Sequence, residues 1–196
     1  MNEINPVDSD DPERRENWLL HCIVNGDQEA LEQLYNLYYP RLSRFLLRIL
    51  GASGQQSLPG LINEVMFVVW NKATTFNQTS KVSSWIFGIA LRLAKKHQST
   101  QFNYDSRHQQ LVSDETTVTE PWEAHLENTD LLNKAIQNLS QEHRAVIELT
   151  YFNGLHYSEI ATIMRCPENT VKTRMYHARQ RLEVLIRDLE SSTRSG

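Results

Sequence analysis

Two cysteines in 196 residues, Cys22 and Cys166, without Cys-x-x-Cys spacing, exclude a disulfide scaffold and a cysteine-rich zinc site. No apolar run approaches the ~18 residues that a membrane-spanning helix requires. The N-terminus, with Asp8, Asp10, Asp11 and Glu13, lacks the basic start and apolar middle of a secretory signal. A Gly-rich phosphate loop, a Gly-x-Ser-x-Gly elbow and a His-Glu-x-x-His motif are also absent, and His21, His143 and His156 are scattered. These absences leave a soluble, cytoplasmic chain with no metal, cofactor or small-molecule substrate and no enzymatic activity as the expectation. Cys166 has no basic neighbour in sequence arranged to activate it, so a packing role outweighs oxidant sensing there.

Net charge is equally unassertive at −4, but its distribution is not. Residues 1–16 balance to −4, and residues 99–130 hold Asp105, Asp114, Glu115, Glu120, Glu123, Glu127 and Asp130 against Arg107 alone. The remaining chain is therefore basic, an asymmetry that argues for a polyanionic partner. The stretch from Gln98 to Thr119 is rich in Ser, Thr, Gln, Asn and Asp and reads as a linker. The expected organisation is an acidic tail at 1–16, a helical domain at 17–98, a flexible acidic linker at 99–130 and a second helical domain at 131–196.

Helical periodicity fills both domains, so the expected fold class is all-α. In the first, Leu31, Leu34, Tyr35 and Tyr38 step by three and four, and Leu42, Phe45, Leu46, Ile49 and Leu50 resume the period after Pro40. Residues 51–60 hold three glycines and a proline and read as a loop. LINEVMFVVW at 61–70 is apolar nearly all round, as a central bundle helix would be, and WIFGIALRLA at 85–94 runs into Lys95, Lys96 and His97. In the second, Ser140 is placed to cap a helix whose apolar face is Val146, Leu149 and Phe152, ended by Asn153-Gly154. Ser158 is placed to cap a short helix burying Ile160, Ala161 and Met164, and Pro167 takes a first-turn position before the last one. There Val171, Met175, Ala178, Leu182, Leu185 and Leu189 form a seam, and Thr170, Thr173, Arg174, His177 and Arg181 line the opposite face.

A short helix, a tight turn and a longer helix with polar and basic residues at its start is the helix-turn-helix arrangement. The second helix must present hydrogen-bond groups to the major groove, and arginines beyond it neutralise phosphates. A solvated basic helix face is the competing reading.

At this point the chain resembles a family. YSEIA at 157–161 and NTVKTRMYHAR at 169–179 are similar to the promoter-reading fourth region of bacterial sigma factors. YPRL at 39–42, the INEV stretch and the segment from Trp85 are similar to their second region. Two such regions joined by a linker resemble the extracytoplasmic-function group. The resemblance implies an alternative sigma factor that binds core RNA polymerase, recognises and melts promoter DNA, and is restrained by an anti-sigma factor, which would hold it at the membrane.

Carried over residue by residue, it implies polymerase contacts at Leu61, Ile62, Asn63, Glu64 and Phe67, with burial in the core competing for the three apolar members. It implies downstream (−10) element contacts at Asn77, Gln78, Thr79, Ser80, Lys81, Trp85, Arg92, Lys95 and Lys96. The upstream (−35) element falls to Asn169, Thr170, Lys172, Thr173, Arg174, Tyr176, His177, Arg179 and Arg181. Departures from the pattern are Gly60, where an acidic residue is usual, and Arg165 and Asn169, where glycine is common. A stand-alone helix-turn-helix regulator is the alternative, and an interaction module a third; neither needs the Trp85 segment.

Overall fold

The computed structural model describes residues 11–51, 54–108 and 127–193. Among them eight α-helices follow one another and no strand occurs. Helices α1 (Pro12–Val24), α2 (Gln28–Leu50), α3 (Leu58–Lys72) and α4 (Val82–His108) form the first bundle. Helices α5 (Glu127–Gln137), α6 (Gln141–Ile147), α7 (Tyr157–Met164) and α8 (Glu168–Thr193) form the second, with a π-helical turn at Glu148–Phe152 after α6. The 18 residues 109–126 of the expected linker lie outside the described residues, as does the tail before residue 11.

The caps explain where the first helices start. Asp11 accepts from the Glu13 backbone N–H at 3.0 Å and Asp27 from Ala30 at 3.1 Å, each satisfying an otherwise orphaned donor. On α2, Leu34, Tyr38, Leu42, Phe45 and Ile49 are all buried. The Phe45 ring meets Phe87 of α4 edge-on at 5.1 Å, and Tyr38 lies 6.4 Å from the same ring. Each fully buried side chain of this kind contributes ~1.5–3 kcal/mol. Pro40 does not interrupt α2. It stands on an exposed face, where water can reach the carbonyl deprived of its donor.

Several local expectations differ from the structure. Helix α4 does not stop near His97 but continues to His108. Extending an established helix gains one bond per residue fixed, and Gln98 is tied to α2 by a 3.2 Å bond from its amide to the Ile49 carbonyl. Phe152 is 47 % exposed, with the Arg48 guanidinium 3.6 Å over its ring. Helix α7 starts one residue before Ser158: His156 is its cap and Glu159 accepts the His156 backbone N–H at 2.8 Å. In that helix Ile160 and Ile163 are buried, while Ala161 and Met164 are half-buried. Pro167 occupies the cap of α8 rather than its first turn, accepting from Thr170 and Val171.

The two bundles pack directly on each other, α7 against α4 and α6 against α2, within one apolar cluster. Arg144 of α6 holds the joint. Its guanidinium donates to the Arg48 and Ile49 carbonyls at the end of α2, at 3.1 and 3.0 Å, and to Leu139 at 3.1 Å and Gln137 at the end of α5. A cation capping two helix C-termini also meets the negative ends of their dipoles. Gly51, which ends α2 at φ 72°, leaves room here: a Cβ would stand 2.9 Å from Gln137 Oε1.

The turn between α7 and α8 carries Arg165 at φ 52°, ψ 49°. A left-handed non-glycine residue costs roughly 1–2 kcal/mol, and glycine returns roughly 0.4–1 kcal/mol of that through the entropy of the unfolded chain. Arg165→Gly is therefore expected to stabilise the protein by about 0.5–1 kcal/mol, read as a melting temperature a few degrees higher.

Candidate nucleic-acid interface

Helix α7, the Arg165–Pro167 turn and α8 make the helix-turn-helix, with Ile160 and Ile163 buried beside Val171, Met175 and Ala178. Helical spacing then divides the nine upstream-element candidates. Thr170, Thr173, Arg174, His177 and Arg181 follow the side opposite the seam, and Asn169 and Thr173 are exposed in the first turns. Lys172, Tyr176 and Arg179 instead line an open apolar groove of about 970 Å³, with Tyr151 and Phe152 on its far wall. Lys172 is also paired with Glu168 at 2.9 Å, and the Tyr176 hydroxyl accepts from Gln180 at 2.7 Å. Arg174 is half-buried and its guanidinium lies 3.7 Å from Cys166 Sγ, a basic group that the fold brings to it from eight positions along the chain. His143, at the start of α6, is held below its ordinary pKa first by burial and then by the positive charge of His177 and Arg174.

The downstream-element candidates form a loop and one face of α4. Asn77 closes the loop, accepting from the Thr79 backbone at 3.2 Å and hydroxyl at 2.7 Å, and Gln78 takes a left-handed φ of 57°. Asn77, Gln78, Thr79 and Lys81 are exposed and Ser80 is half-buried. Trp85 is half-buried with its ring 5.4 Å from Phe76, so it packs and keeps one part open.

Two of the cations already have partners in the other bundle: Lys81 meets Glu159 at 3.3 Å and Lys95 meets Glu142 at 3.0 Å. Glu159 raises the Lys81 pKa through that bond. Burial opposes ionisation of Glu142, yet the Lys95 bond holds its carboxyl below the usual value. Lys96 and Arg92 are exposed, and the Arg92 head folds back over Gly88, 3.3 Å from where a Cβ would be. DNA reaching these lysines must displace the carboxylates.

The polymerase-contact candidates separate by burial. Leu61 and Ile62 are 4 % and 0 % exposed, which decides between contact and core for them: they are core. Phe67 goes the other way, at 68 % exposed, beside the exposed Asn63 and Glu64. Sequence reasoning missed two companions on α2. Tyr35 donates to Asn63 Oδ1 at 3.2 Å, and its ring lies 5.6 Å from that of Tyr39, which is 40 % exposed. The step of four between them, at the margin of the apolar stripe, was the available signal. Sequence reasoning also missed Glu148, 1 % exposed and bonded to Arg48 at 3.2 Å, a lone acid inside an apolar run.

Comparison with known proteins agrees with this division. Residues 34–101 match the family described as Sigma-70 region 2 and residues 129–182 the family described as Sigma-70, region 4, together more than half of the chain. The chain is similar to the ECF RNA polymerase sigma-E factor of Haemophilus influenzae, 25 % identical over 184 residues, covering 87 % of this chain and 95 % of that one. It is similar to the ECF RNA polymerase sigma factor SigW of Bacillus subtilis, 26 % identical over 179 residues, covering 85 % and 94 %. Among solved structures, the fold is like that of the sigma factor RpoE in complex with the anti-sigma factor NepR from Bartonella quintana. The TM-score there is 0.67 at 23 % identity, covering 80 % of this chain and 96 % of the other. It is also like CnrH in complex with the cytosolic domain of CnrY, with a TM-score of 0.66 at 17 % identity, covering 89 % and 98 %.

Proposed function

This chain belongs to the sigma-70 family of RNA polymerase sigma factors, in its extracytoplasmic-function group, and from that premise we propose how its two bundles share the work. The first bundle attaches to core RNA polymerase through the patch of Tyr35, Tyr39, Asn63, Glu64 and Phe67, and its 77–81 loop and α4 cations engage the downstream promoter element. The second bundle reads the upstream element with α8, using Asn169, Thr170, Thr173 and His177 on base edges and Arg174 and Arg181 on phosphates. Lys172, Tyr176 and Arg179 act at the margin, because they face the groove.

The observation that carries this reading is the pairing, in one chain, of an exposed helix-turn-helix with a bundle whose most exposed large apolar side chain among the described residues is the aromatic Phe67 of α3. Neither half needs high affinity alone, since polymerase joins two modest readers into one bivalent one. No catalytic step falls to this chain. An anti-sigma factor is the proposed restraint, as the relative crystallised with NepR supports. The proposed setting is the cytoplasm; no described helix is long and apolar enough to cross a membrane.

Reconstituted transcription tests this. Core polymerase plus this protein, on a pool of genomic promoter fragments, is expected to give discrete transcripts. Asn169→Ala with Thr173→Ala and His177→Ala should abolish them while leaving the melting curve in place, since all three side chains are exposed and surface changes typically shift stability by less than ~0.5 kcal/mol. Duplex binding without any polymerase-dependent transcript would instead assign a stand-alone regulator.

A further inference from the structure

We infer that Arg165, in the turn between α7 and α8, is a phosphate-binding residue of the promoter interface. The inference rests on the promoter-reading function proposed above and extends it to a residue outside the recognition helix.

Three observations converge on it. Among the described residues only Gln78 and Arg165 combine a side chain with a positive φ. Glycine would adopt φ 52°, ψ 49° freely, so the turn itself gives no reason for a long cationic side chain. The side chain also contributes nothing visible to packing: Arg165 is exposed, and no ion pair or side-chain hydrogen bond engages it among the described residues. Finally, its positive charge acts on another of the same sign. Partial burial lowers the pKa of Arg92 on α4, and the charge of Arg165 lowers it further. The residue is thus strained, unpaired and repelled in the protein by itself.

A polyanion reverses all three. The turn leads directly into Asn169–Thr173, the segment proposed to enter the groove, and Arg165 ends α7, the helix of the pair that crosses the DNA backbone in this motif. A guanidinium takes a phosphate through two parallel N–H bonds, with geometry that a lysine lacks. Strain held at such a position is what a binding role can sustain where packing does not. Because phosphates carry no sequence information, Arg165 adds affinity and register without choosing bases.

The test is a salt titration of duplex binding by the full chain assembled with core polymerase, from about 50 to about 200 mM salt. The probes are a duplex bearing the upstream element found in the transcription experiment and a scrambled duplex of the same length. Arg165→Gln is expected to lower affinity roughly threefold to tenfold on both duplexes and to reduce the log–log salt slope by about 0.9. Arg165→Lys should retain the slope. Arg165→Gly should lose it as Arg165→Gln does while melting at a higher temperature, a combination that a merely structural arginine would not give. Wild-type binding with unchanged slopes in Arg165→Gln and Arg165→Gly overturns this inference alone. Wild-type protein that is folded and bound to core polymerase yet binds neither duplex overturns the promoter reading and this inference together.

Discussion

Phe67→Asp is expected to weaken association with core polymerase by about two orders of magnitude, ~2–3 kcal/mol, while leaving the melting temperature within a degree or two. The ring is 68 % exposed on α3, so its loss opens no cavity. Around it stand groups that suit a protein contact: the Tyr35 hydroxyl bonded to Asn63, the neighbouring Tyr39 ring, and Glu64. Exposed aromatics flanked by ordered polar groups are the anchors from which interfaces draw most of their energy. Aspartate there would carry an uncompensated charge into the contact. Leu61→Ala gives the contrast, because that side chain is core: stability should drop by ~2–5 kcal/mol and binding should fail only through unfolding. Polymerase pull-down and thermal melting on the same samples separate the two outcomes. Equal affinity of Phe67→Asp and wild type would remove the patch from the polymerase interface.

That Phe67 faces outward was not legible, and the reason is physical. A helix with one apolar stripe announces its buried side, as α2 does through Leu34, Tyr38, Leu42 and Phe45. LINEVMFVVW has apolar residues on every side, so periodicity cannot say which one leaves the core. The helix-turn-helix was legible because its two helices are short of ambiguity: the α8 seam steps by three and four, and its opposite side is polar and basic. The resemblance marks position 165 as one where glycine is common, and the structure holds Arg165 there at φ 52°.

The joint between the bundles was invisible from the sequence. Its ties run from Arg48 to Glu148, from Lys95 to Glu142 and from Arg144 to the end of α2, across 47 to 100 positions of chain. Each of those residues, read locally, is an ordinary charged side chain on a helix. Only the fold shows that Arg144 is half-buried among four carbonyls, or that two lysines expected on DNA already sit against carboxylates.

Glu148 makes the joint pH-dependent, and the sign is fixed by its environment. Burial pushes its pKa up from 4.5 to about 7, against the lowering effect of Arg48 and Arg144. The desolvation of a carboxylate that is 1 % exposed thus outweighs what two guanidiniums return. With the folded-state value above the unfolded one, the native protein holds a proton that the unfolded chain has released. Between pH 4.5 and about 7, then, unfolding gives up that proton, and stability falls as pH rises through the window. At 1.36 kcal/mol per unit the whole span is at most about 3 kcal/mol. Glu142 works in the opposite direction: its pKa is lowered, so its contribution is present above the unfolded value and lost on acidification. The two are separated by Glu148→Gln, which keeps an oxygen for Arg48 and removes the titration. Denaturant midpoints of the two proteins should agree near pH 4.5 and diverge toward pH 8, with Glu148→Gln the more stable by up to about 3 kcal/mol. Parallel curves across that range would mean that Glu148 is ionised throughout, and that Arg48 and Arg144 stabilise its charge more than burial opposes it.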